Sequence, residues 1–494
     1  MLLRIPRRRP SGRDPEHAGL FRQPRLGLAS PLCVREPEGD AMVEEWRSST
    51  GAARTPSMRS SPHFLCFQEM YSPAGPQSSN GVGSFILHTD PFYFRAAEEP
   101  LVASTLTMEL GPTSHEPPRP QSQKGSDLSP AEVFAYDERD FVLSGVEWQE
   151  NRGNRGPPGH TMSRFDRVLQ SGWKDRQNRG LFRYYLKELH TRILPGMVGF
   201  VAQLNIQRGS ERRRPQEIQS IQQRFDPQQF NFSKIQPEEI LFGMSRGQTS
   251  SRPCLAGAQI PPGSAFVLVV INVSPLEFGH ILLIPDPTLS LPQILTPQVV
   301  CFGLDAVLLS GHPGFRVGFN SLGAFASVNH LHLHGFYLNW ELLVESAPCE
   351  PLLPEANFYL LQEVPVPCFV FYSEGQQLEE LAQRVCQVTN YLVKKEIAHN
   401  LFITRGAKPE GPVHSRARPG IRIIVWARKS CFGTKEESAF NVALCELAGH
   451  LPIKTAQDFE SLTEALAIHT LQKCILPDSL FSQLQCELVA LLKE

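Results

Sequence analysis

Three histidines alternate along one short segment, at His330, His332 and His334, and every residue between them is apolar. Successive side chains of a β-strand point to opposite faces, so the three imidazoles would share one face while Leu331 and Leu333 pack against the other. A row of imidazoles on one rigid strand suits phosphate or metal chemistry. A purely structural role is disfavoured because apolar residues fill a core better.

Two kinds of chemistry fit this row. Neutral imidazole is a good nucleophile near pH 7, so His332 can attack phosphorus while His330 and His334 orient it or donate to phosphate oxygens. Ser327, just before the row, can add a hydroxyl and a backbone N–H. A His-x-His pair also binds zinc or iron, but a third ligand is then expected nearby, and residues 315–338 contain no Asp or Glu. We therefore rank phosphoryl transfer first and a metal site second, and predict no metal or cofactor.

The segments around the histidines predict an α+β fold with an antiparallel sheet. Two strands, a helix and two further strands are predicted at 266–273, 280–285, 297–310, 315–320 and the histidine row. Part of this order recurs without the histidines, with a strand, a helix and two strands at 369–372, 378–394, 398–404 and 421–427. The recurrence predicts a duplicated unit with one degenerate half. The pattern also predicts a helix over 180–194 and a strand over 440–447.

Composition predicts how the chain is divided. The first part is rich in Pro, Ser, Gly and Arg and sustains no hydrophobic period, which predicts a mostly disordered N-terminal extension over 1–130. The catalytic half with the histidines is then expected at 131–350. The degenerate C-terminal half is expected at 351–494.

Charge and cysteine usage limit the class of protein. The net charge of −2 over 494 residues argues against a nucleic-acid partner. The longest apolar run, about 265–271, is far short of the roughly 18 residues that a membrane helix needs. The 11 cysteines include no Cys-x-x-Cys pair, which is typical of reduced thiols. We predict a cytoplasmic protein with no membrane partner, and a homodimer stays open.

Several motifs carry a resemblance to a known family. The histidine row resembles the signature of the histidine-triad superfamily, and residues 279–285 are similar to its upstream strand, in which we interpret His280 as a buried core residue. The chain further resembles the GDP-hexose phosphorylases over roughly 129–494. The matching motifs lie at 199–205, 213–215, 225–227, 230–232, 272–275, 327–332, 398–402 and 440–446.

The resemblance implies a two-step reaction. His332 would be the nucleophile that attacks the α-phosphorus of a GDP-hexose, GDP-glucose for the animal members, and expels the hexose 1-phosphate. Inorganic phosphate would then attack the GMP-histidine and release GDP. His334 stands where the transferase branch and the plant relatives usually carry Gln, so a hydrolase that releases GMP stays open. A non-catalytic nucleotide-binding regulator and a metal-dependent enzyme stay open as well.

Five further residues are candidates for substrate binding. Arg213 and Arg214 can clamp phosphates, since guanidinium matches phosphate geometry, or can form an ordinary exposed basic turn. Asn205 and Lys234 can contact ribose or phosphate, or can only cap and solvate. Asn320 lies where histidine-triad proteins often contact the nucleotide.

Overall fold

The protein is described here by a computed structural model that covers residues 132–144, 146–148, 162–247, 266–411, 417–432 and 438–494. The predicted disordered extension, 1–130, lies outside these residues. The helices are α1 (Arg164–Asn178), α2 (Ile206–Glu211), α3 (Pro297–Leu309), α4 (Leu378–Lys394), α5 (Leu444–Ala448), α6 (Ala456–Ser461), α7 (Glu464–Gln472) and α8 (Asp478–Lys493). None of the helices within these ranges has the length and apolar character that crossing a membrane would require.

Fourteen described strands form two sheets. The strands are β1 (Val133–Tyr136), β2 (His190–Ile193), β3 (Val201–Leu204), β4 (Ile240–Arg246), β5 (Phe266–Ile271), β6 (Ile281–Pro285), β7 (Phe315–Asn320), β8 (Leu333–Tyr337), β9 (Glu350–Leu353), β10 (Phe358–Leu361), β11 (Cys368–Ser373), β12 (Ala398–Gly406), β13 (Gly420–Arg428) and β14 (His450–Ile453). The large sheet has the order β1-β4-β5-β6-β8-β7-β12-β13-β11-β10-β9, and the small sheet has the order β14-β3-β2. In the large sheet β1 and β4 pair in parallel. Its other neighbours pair antiparallel.

The large sheet contains the same arrangement twice. In the first half, β5, β6, α3, β7 and β8 follow one another in the chain, and the strands lie in the order β5-β6-β8-β7. In the second half, β10, β11, α4, β12 and β13 follow one another, and the strands lie in the order β10-β11-β13-β12. The halves join where β7 pairs antiparallel with β12, so that Asn320 lies opposite Asn400. The predicted α+β fold is confirmed, and the shared strand order agrees with the predicted duplication.

Helix α3 packs against the face of the sheet that lies behind the histidines. The helix begins after Thr296, whose hydroxyl accepts a hydrogen bond from the Val299 backbone N–H, and Pro297 occupies its first turn. A Cβ added at Gly303 would lie 2.9 Å from Leu333 Cδ1 and 3.0 Å from Ile403 Cδ1. Glycine therefore lets the helix lie close to the strands that carry the site.

Two predicted elements were wrong. The segment 180–194 is not a helix, because α1 ends before Gly180, whose φ of 73° favours glycine, and His190–Ile193 pairs with β3 instead. The segment 440–447 is not a strand, because Leu444–Ala448 forms α5. Leu444 and Leu447 are three positions apart and both buried, a spacing that places them on one helix face covering the sheet.

Candidate active site

His332 is held in one orientation by its neighbours. It precedes β8, and its backbone N–H donates to Gln293 Oε1 at 3.0 Å, while Gln293 Nε2 donates to its carbonyl at 3.2 Å. The ring atom Nδ1 lies 2.8 Å from the carbonyl oxygen of His330. Because a carbonyl only accepts, Nδ1 carries the proton and Nε2 keeps its lone pair. That tautomer is the one a nucleophile needs.

Burial keeps this imidazole neutral. His332 is 2% exposed, and burial lowers its pKa to about 4, although the hydrogen bond to the His330 carbonyl partly opposes this lowering. At neutral pH the ring therefore carries a single proton, on Nδ1, and no net charge. A neutral ring with a free Nε2 can form a bond to phosphorus, which an imidazolium cannot.

His330 positions its neighbour mainly through its backbone. Its Nδ1 accepts a hydrogen bond from the Phe232 N–H at 3.0 Å. Its ring packs against Phe225 and Phe232, with ring centroids 5.1 and 5.4 Å away. Burial lowers its pKa to about 4. His330 is therefore in a position to orient His332, as predicted, because its backbone carbonyl accepts the hydrogen bond from the His332 Nδ1–H.

His334 belongs to a chain of hydrogen bonds that runs through His280. The Leu276 N–H donates to His280 Nδ1 at 2.8 Å, so the single proton of the neutral His280 ring sits on Nε2. That atom lies 3.1 Å from His334 Nδ1 and donates to it. His334 is neutral as well, because burial lowers its pKa well below the usual value. Its own proton must then sit on Nε2, which becomes a donor.

His280 is therefore more than the buried core residue that the sequence predicts. It is 1% exposed, as expected, but it also contacts the histidine row and lines the cavity described below. A usable signal was present in the sequence, since His280 is the first residue of the strand predicted at 280–285, and this strand pairs with the histidine strand. The pairing itself, with Ile281 opposite Gly335, is visible only in the fold.

Two cavities meet at the histidines. The larger has a volume of about 610 Å³ and is lined by His280, His334 and residues of the C-terminal half such as Asn441 and Glu446. The smaller has a volume of about 110 Å³ and is lined by His332, His334 and a largely apolar wall. Four residues line both: Arg208, Arg212, Ser327 and His334. The two cavities thus share a basic junction beside the histidines.

The predicted binding residues are distributed unevenly around these cavities. Ser327 lines both, and Asn205 and Asn320 line the larger. Arg213 and Arg214 line the smaller. Lys234 is not among the residues that line either cavity, and its ammonium donates to the carbonyls of residues 227, 228 and 229.

Several of these side chains also have structural partners. Asn205 caps α2 through its side-chain oxygen, and its amide donates to the carbonyls of residues 275 and 276. The Asn320 oxygen accepts from Asn400 Nδ2 at 2.7 Å and from the Leu444 N–H at 3.0 Å. The Arg213 guanidinium lies 3.1 Å from the centroid of the Phe230 ring. Contacts with substrate would therefore involve the donor and acceptor positions of these side chains that the structural contacts leave unused.

Sequence reasoning missed Arg208 and Arg212, which flank the junction. The Arg208 side chain also donates to the Ser274 carbonyl. The two arginines are four positions apart at α2, a spacing that could have placed them on one side of a predicted helix. Within the described ranges, no group of three or more His, Cys, Asp or Glu side chains is arranged to hold a metal ion.

Comparison with known proteins gives the family. The model of the "GDPGP1-like, N-terminal domain" matches residues 164–336, and that of the "GDPGP1-like, C-terminal domain" matches residues 343–494. The chain is 53% identical over 386 residues to "GDP-D-glucose phosphorylase 1" of Xenopus laevis, covering 74% of this chain and 96% of the relative. It is 55% identical over 363 residues to the Homo sapiens protein of the same name, with 73% and 92% covered.

Two more distant similarities are to a plant protein and to a solved yeast structure. "GDP-L-galactose phosphorylase 1" of Arabidopsis thaliana is 29% identical over 371 residues, which cover 72% of this chain and 79% of the relative. The structure of yeast Ap4A phosphorylase Apa2 with Ap4A aligns over 64% of this chain and 99% of its own, with a TM-score of 0.43 and 14% identity. The family predicted from the sequence motifs is confirmed by the two family models and the close relatives: the chain belongs to the GDPGP1-like family of phosphorylases.

Proposed function

We propose that this protein catalyses the phosphate-dependent cleavage of GDP-glucose to GDP and glucose 1-phosphate. Relatives more than 50% identical are named GDP-D-glucose phosphorylase 1. The observation that carries the chemistry is the tautomer of His332, whose Nδ1 is committed to the His330 carbonyl while Nε2 is free. Asn205, Asn320, Ser327, Arg213 and Arg214 are proposed to contribute to substrate binding.

The proposed first step transfers GMP to the enzyme. His332 Nε2 attacks the α-phosphorus, a nitrogen–phosphorus bond forms, and the bond from the α-phosphorus to the bridging oxygen breaks. Glucose 1-phosphate leaves with that oxygen. The positive charge that develops on the ring is stabilised by the Nδ1–H donating to the His330 carbonyl.

The proposed second step returns the enzyme to its starting state. An oxygen of inorganic phosphate attacks the α-phosphorus of the GMP-histidine, the nitrogen–phosphorus bond breaks, and GDP leaves. Each displacement uses a good nucleophile, so one hard step is replaced by two easier ones. Water as the acceptor would release GMP instead, and the presence of His334 keeps this hydrolase as the second candidate.

The linings and volumes of the two cavities support an assignment of which half of the substrate each cavity binds. The lining of the smaller cavity includes the apolar residues Phe232, Val270 and Leu282, which suit contact with a nucleobase. The larger cavity has more polar walls and room for a hexose phosphate. The phosphates would lie at the junction, where Arg208 and Arg212 can offset their charge and the Nε2–H of His334 can donate to an oxygen.

The cysteines and the net charge bear on the cellular setting of the protein. The eight described cysteines are all free, which agrees with a reducing compartment and supports a cytoplasmic enzyme. A net charge of −2 agrees with small-molecule substrates rather than nucleic acid. We further propose that 131–350 and 351–494 are the catalytic and degenerate halves, and a homodimer stays open.

A product assay tests the proposed reaction. The protein is incubated with GDP-glucose with and without inorganic phosphate, and the nucleotides are separated. We expect rapid formation of GDP and glucose 1-phosphate that depends on phosphate, and only slow formation of GMP without it. GMP formed at an equal rate in both mixtures would favour the hydrolase, and no turnover in either would favour a nucleotide-binding regulator.

A further inference from the structure

The smaller cavity contains one carboxylate among its described lining residues, that of Glu239. The lining around it includes the apolar residues Phe230, Phe232 and Ile235 from the same stretch of chain. Four arginines line the same cavity: Arg208, Arg212, Arg213 and Arg214. A carboxylate in such a wall is costly unless it has partners. Its presence beside the proposed base site therefore raises the question of which ligand group it receives.

The local structure holds Glu239 at this position. Its side-chain oxygen Oε1 accepts a hydrogen bond from the Gln236 backbone N–H at 3.1 Å and so closes a short 3-10 turn over Pro237–Glu239. This contact uses one of the four lone pairs of the carboxylate. Oε2 and the second lone pair of Oε1 are left to receive other donors.

Burial and nearby positive charges act on the pKa of the Glu239 carboxyl in opposite directions, and burial is the larger effect. Burial raises the pKa of this carboxyl, and the Gln236 N–H and the positive charges of Arg213 and Arg183 oppose that rise. The Arg213 guanidinium lies over the Phe230 ring on the wall of the same cavity. Basic groups thus lie close to Glu239, in a cavity that also has apolar and aromatic residues in its lining.

Nucleobases differ in what they offer to a carboxylate. Guanine presents two neighbouring donors on one edge, the N1–H and the N2 amino group, and a carboxylate can accept both with parallel hydrogen bonds. Adenine presents an acceptor at N1, which would face the carboxylate with a lone pair. Hypoxanthine keeps the N1–H but lacks the amino group. A carboxylate in a base site therefore selects guanine.

We propose that Glu239 is a specificity-determining residue that accepts the N1–H and N2 amino protons of guanine in the smaller cavity. The inference rests on the proposed function, in which this cavity holds the GMP half of the substrate. It assigns a structural basis to guanine recognition. In this arrangement the apolar side chains of Phe230 and Phe232 flank the plane of the base.

The competing explanation is that Glu239 only closes the 3-10 turn. Glu239→Gln separates the two roles, because the amide oxygen can still accept from the Gln236 N–H while the amide nitrogen places donors against the donors of guanine. Glu238→Gln is the matched control, since Glu238 is an exposed residue of the same turn and does not line the cavity. Thermal unfolding of both variants checks that the turn is intact.

The experiment compares GDP-glucose with IDP-glucose, whose base is hypoxanthine. For the unchanged enzyme we expect kcat/KM to favour GDP-glucose by about 10- to 100-fold, the value of the one charged hydrogen bond that the amino group of guanine adds. Glu239→Gln is expected to reduce that preference at least about 10-fold, whereas Glu238→Gln retains it. A Glu239→Gln enzyme with the original preference would overturn the inference.

A binding measurement keeps the test independent of catalysis and of the stability of the variant. The affinities of the unchanged protein for GMP and IMP are compared by calorimetry, and we expect GMP to bind about 10-fold tighter or more. Equal affinities would overturn the role of Glu239. If neither sugar nucleotide is turned over while GMP still binds tighter than IMP, the proposed function fails and the inference about guanine stands.

Discussion

At the scale of single residues, backbone groups decide where each imidazole of the site carries its proton. The His330 carbonyl fixes the Nδ1 proton of His332, and the Phe232 N–H occupies Nδ1 of His330. The Leu276 N–H fixes the proton of His280 on Nε2, and the hydrogen bond from His280 then fixes the proton of His334 on its own Nε2. One ring therefore exposes a lone pair and another exposes a donor, although both belong to the same histidine row.

The donor role of His334 predicts different effects for two substitutions. His334→Gln supplies an amide N–H in place of the ring N–H, so we expect phosphorolysis to fall by no more than about 10-fold. His334→Ala removes the donor, and we expect kcat to fall by about 100- to 1,000-fold. Rates of GDP formation at saturating GDP-glucose and phosphate measure the difference. Equal losses in the two variants would show that the hydrogen-bond donor is not what His334 provides.

Residue types and spacing predicted part of the candidate site. The alternation of His330, His332 and His334 indicated the chemistry, and Ser327 and Asn320 do line the larger cavity. Two other contributions could not be predicted because they depend on distant segments. The Oε1 atom of Gln293, 39 positions from His332, holds the His332 backbone, and Glu239 enters the smaller cavity from a different stretch of chain.

At the scale of elements, helix α3 and strand β8 control how the histidines are presented. Leu331 and Leu333 are fully buried in the core that α3 covers, as the alternating pattern predicts. His330 and His332 nevertheless precede β8, which begins at Leu333. The side chain of Gln293 holds the segment before the strand through the His332 backbone, so the row is positioned by hydrogen bonds as well as by the sheet.

The close packing of α3 predicts the effect of a larger residue at Gly303. Gly303→Val would push against Leu333 and Ile403, and we expect the free energy of unfolding to fall by about 1 to 3 kcal/mol. Gly247→Val is the matched control, because no atom of the described residues lies within 4 Å of a Cβ built there. Thermal or urea unfolding measures both. A Gly303→Val protein as stable as the control variant would mean that the helix can move away from the sheet at little cost.

Some elements were predicted with their bounds and others were predicted wrongly, and length does not separate the two groups. Helix α4 has the bounds that its sequence predicts, Leu378–Lys394. The segment 440–447 alternates like a strand but forms α5, because the sheet face that it covers decides its conformation. Local pattern cannot show which segment will cover which face, so elements of this kind need the fold.

At the scale of the whole molecule, both halves build the site. The histidine row comes from the first half, while Asn441 and Glu446 line the larger cavity from the second. The corresponding face of β13 carries Arg422 and Trp426 in place of histidines, both fully buried. The second half therefore has no histidine row on that face, but it supplies part of the wall of the larger cavity. The repeated element order alone could not predict that the second half would line a cavity beside the histidines of the first.

Buried histidines across the protein predict a loss of stability in acid. Burial lowers the pKa of His332 and His399 to about 4 and that of His450 to about 3. These groups stay neutral in the folded state at pH values where they are protonated in the unfolded chain, whose ordinary histidine pKa is about 6.5. The unfolded state thus binds more protons, and stability present above about pH 6.5 is lost as the pH falls towards 4.

Melting temperatures between pH 7.5 and pH 5 measure this effect. We expect the melting temperature to fall steadily over that interval, and His399→Asn to reduce the dependence, because His399 is buried and lies away from the cavity walls. A melting temperature that is constant or higher at pH 5 would contradict the neutral state inferred for these rings.

The covalent GMP on His332 is the central claim, and direct capture of it is the most decisive measurement. GDP-glucose labelled in its α-phosphate is mixed with the enzyme in the absence of inorganic phosphate, and the quenched protein is digested and mapped by mass spectrometry. We expect acid-labile label on the peptide containing His332, released as GDP when phosphate is added before the quench, and no label on a His332→Ala enzyme. Label on another residue, or label retained by the folded His332→Ala enzyme, would contradict the account.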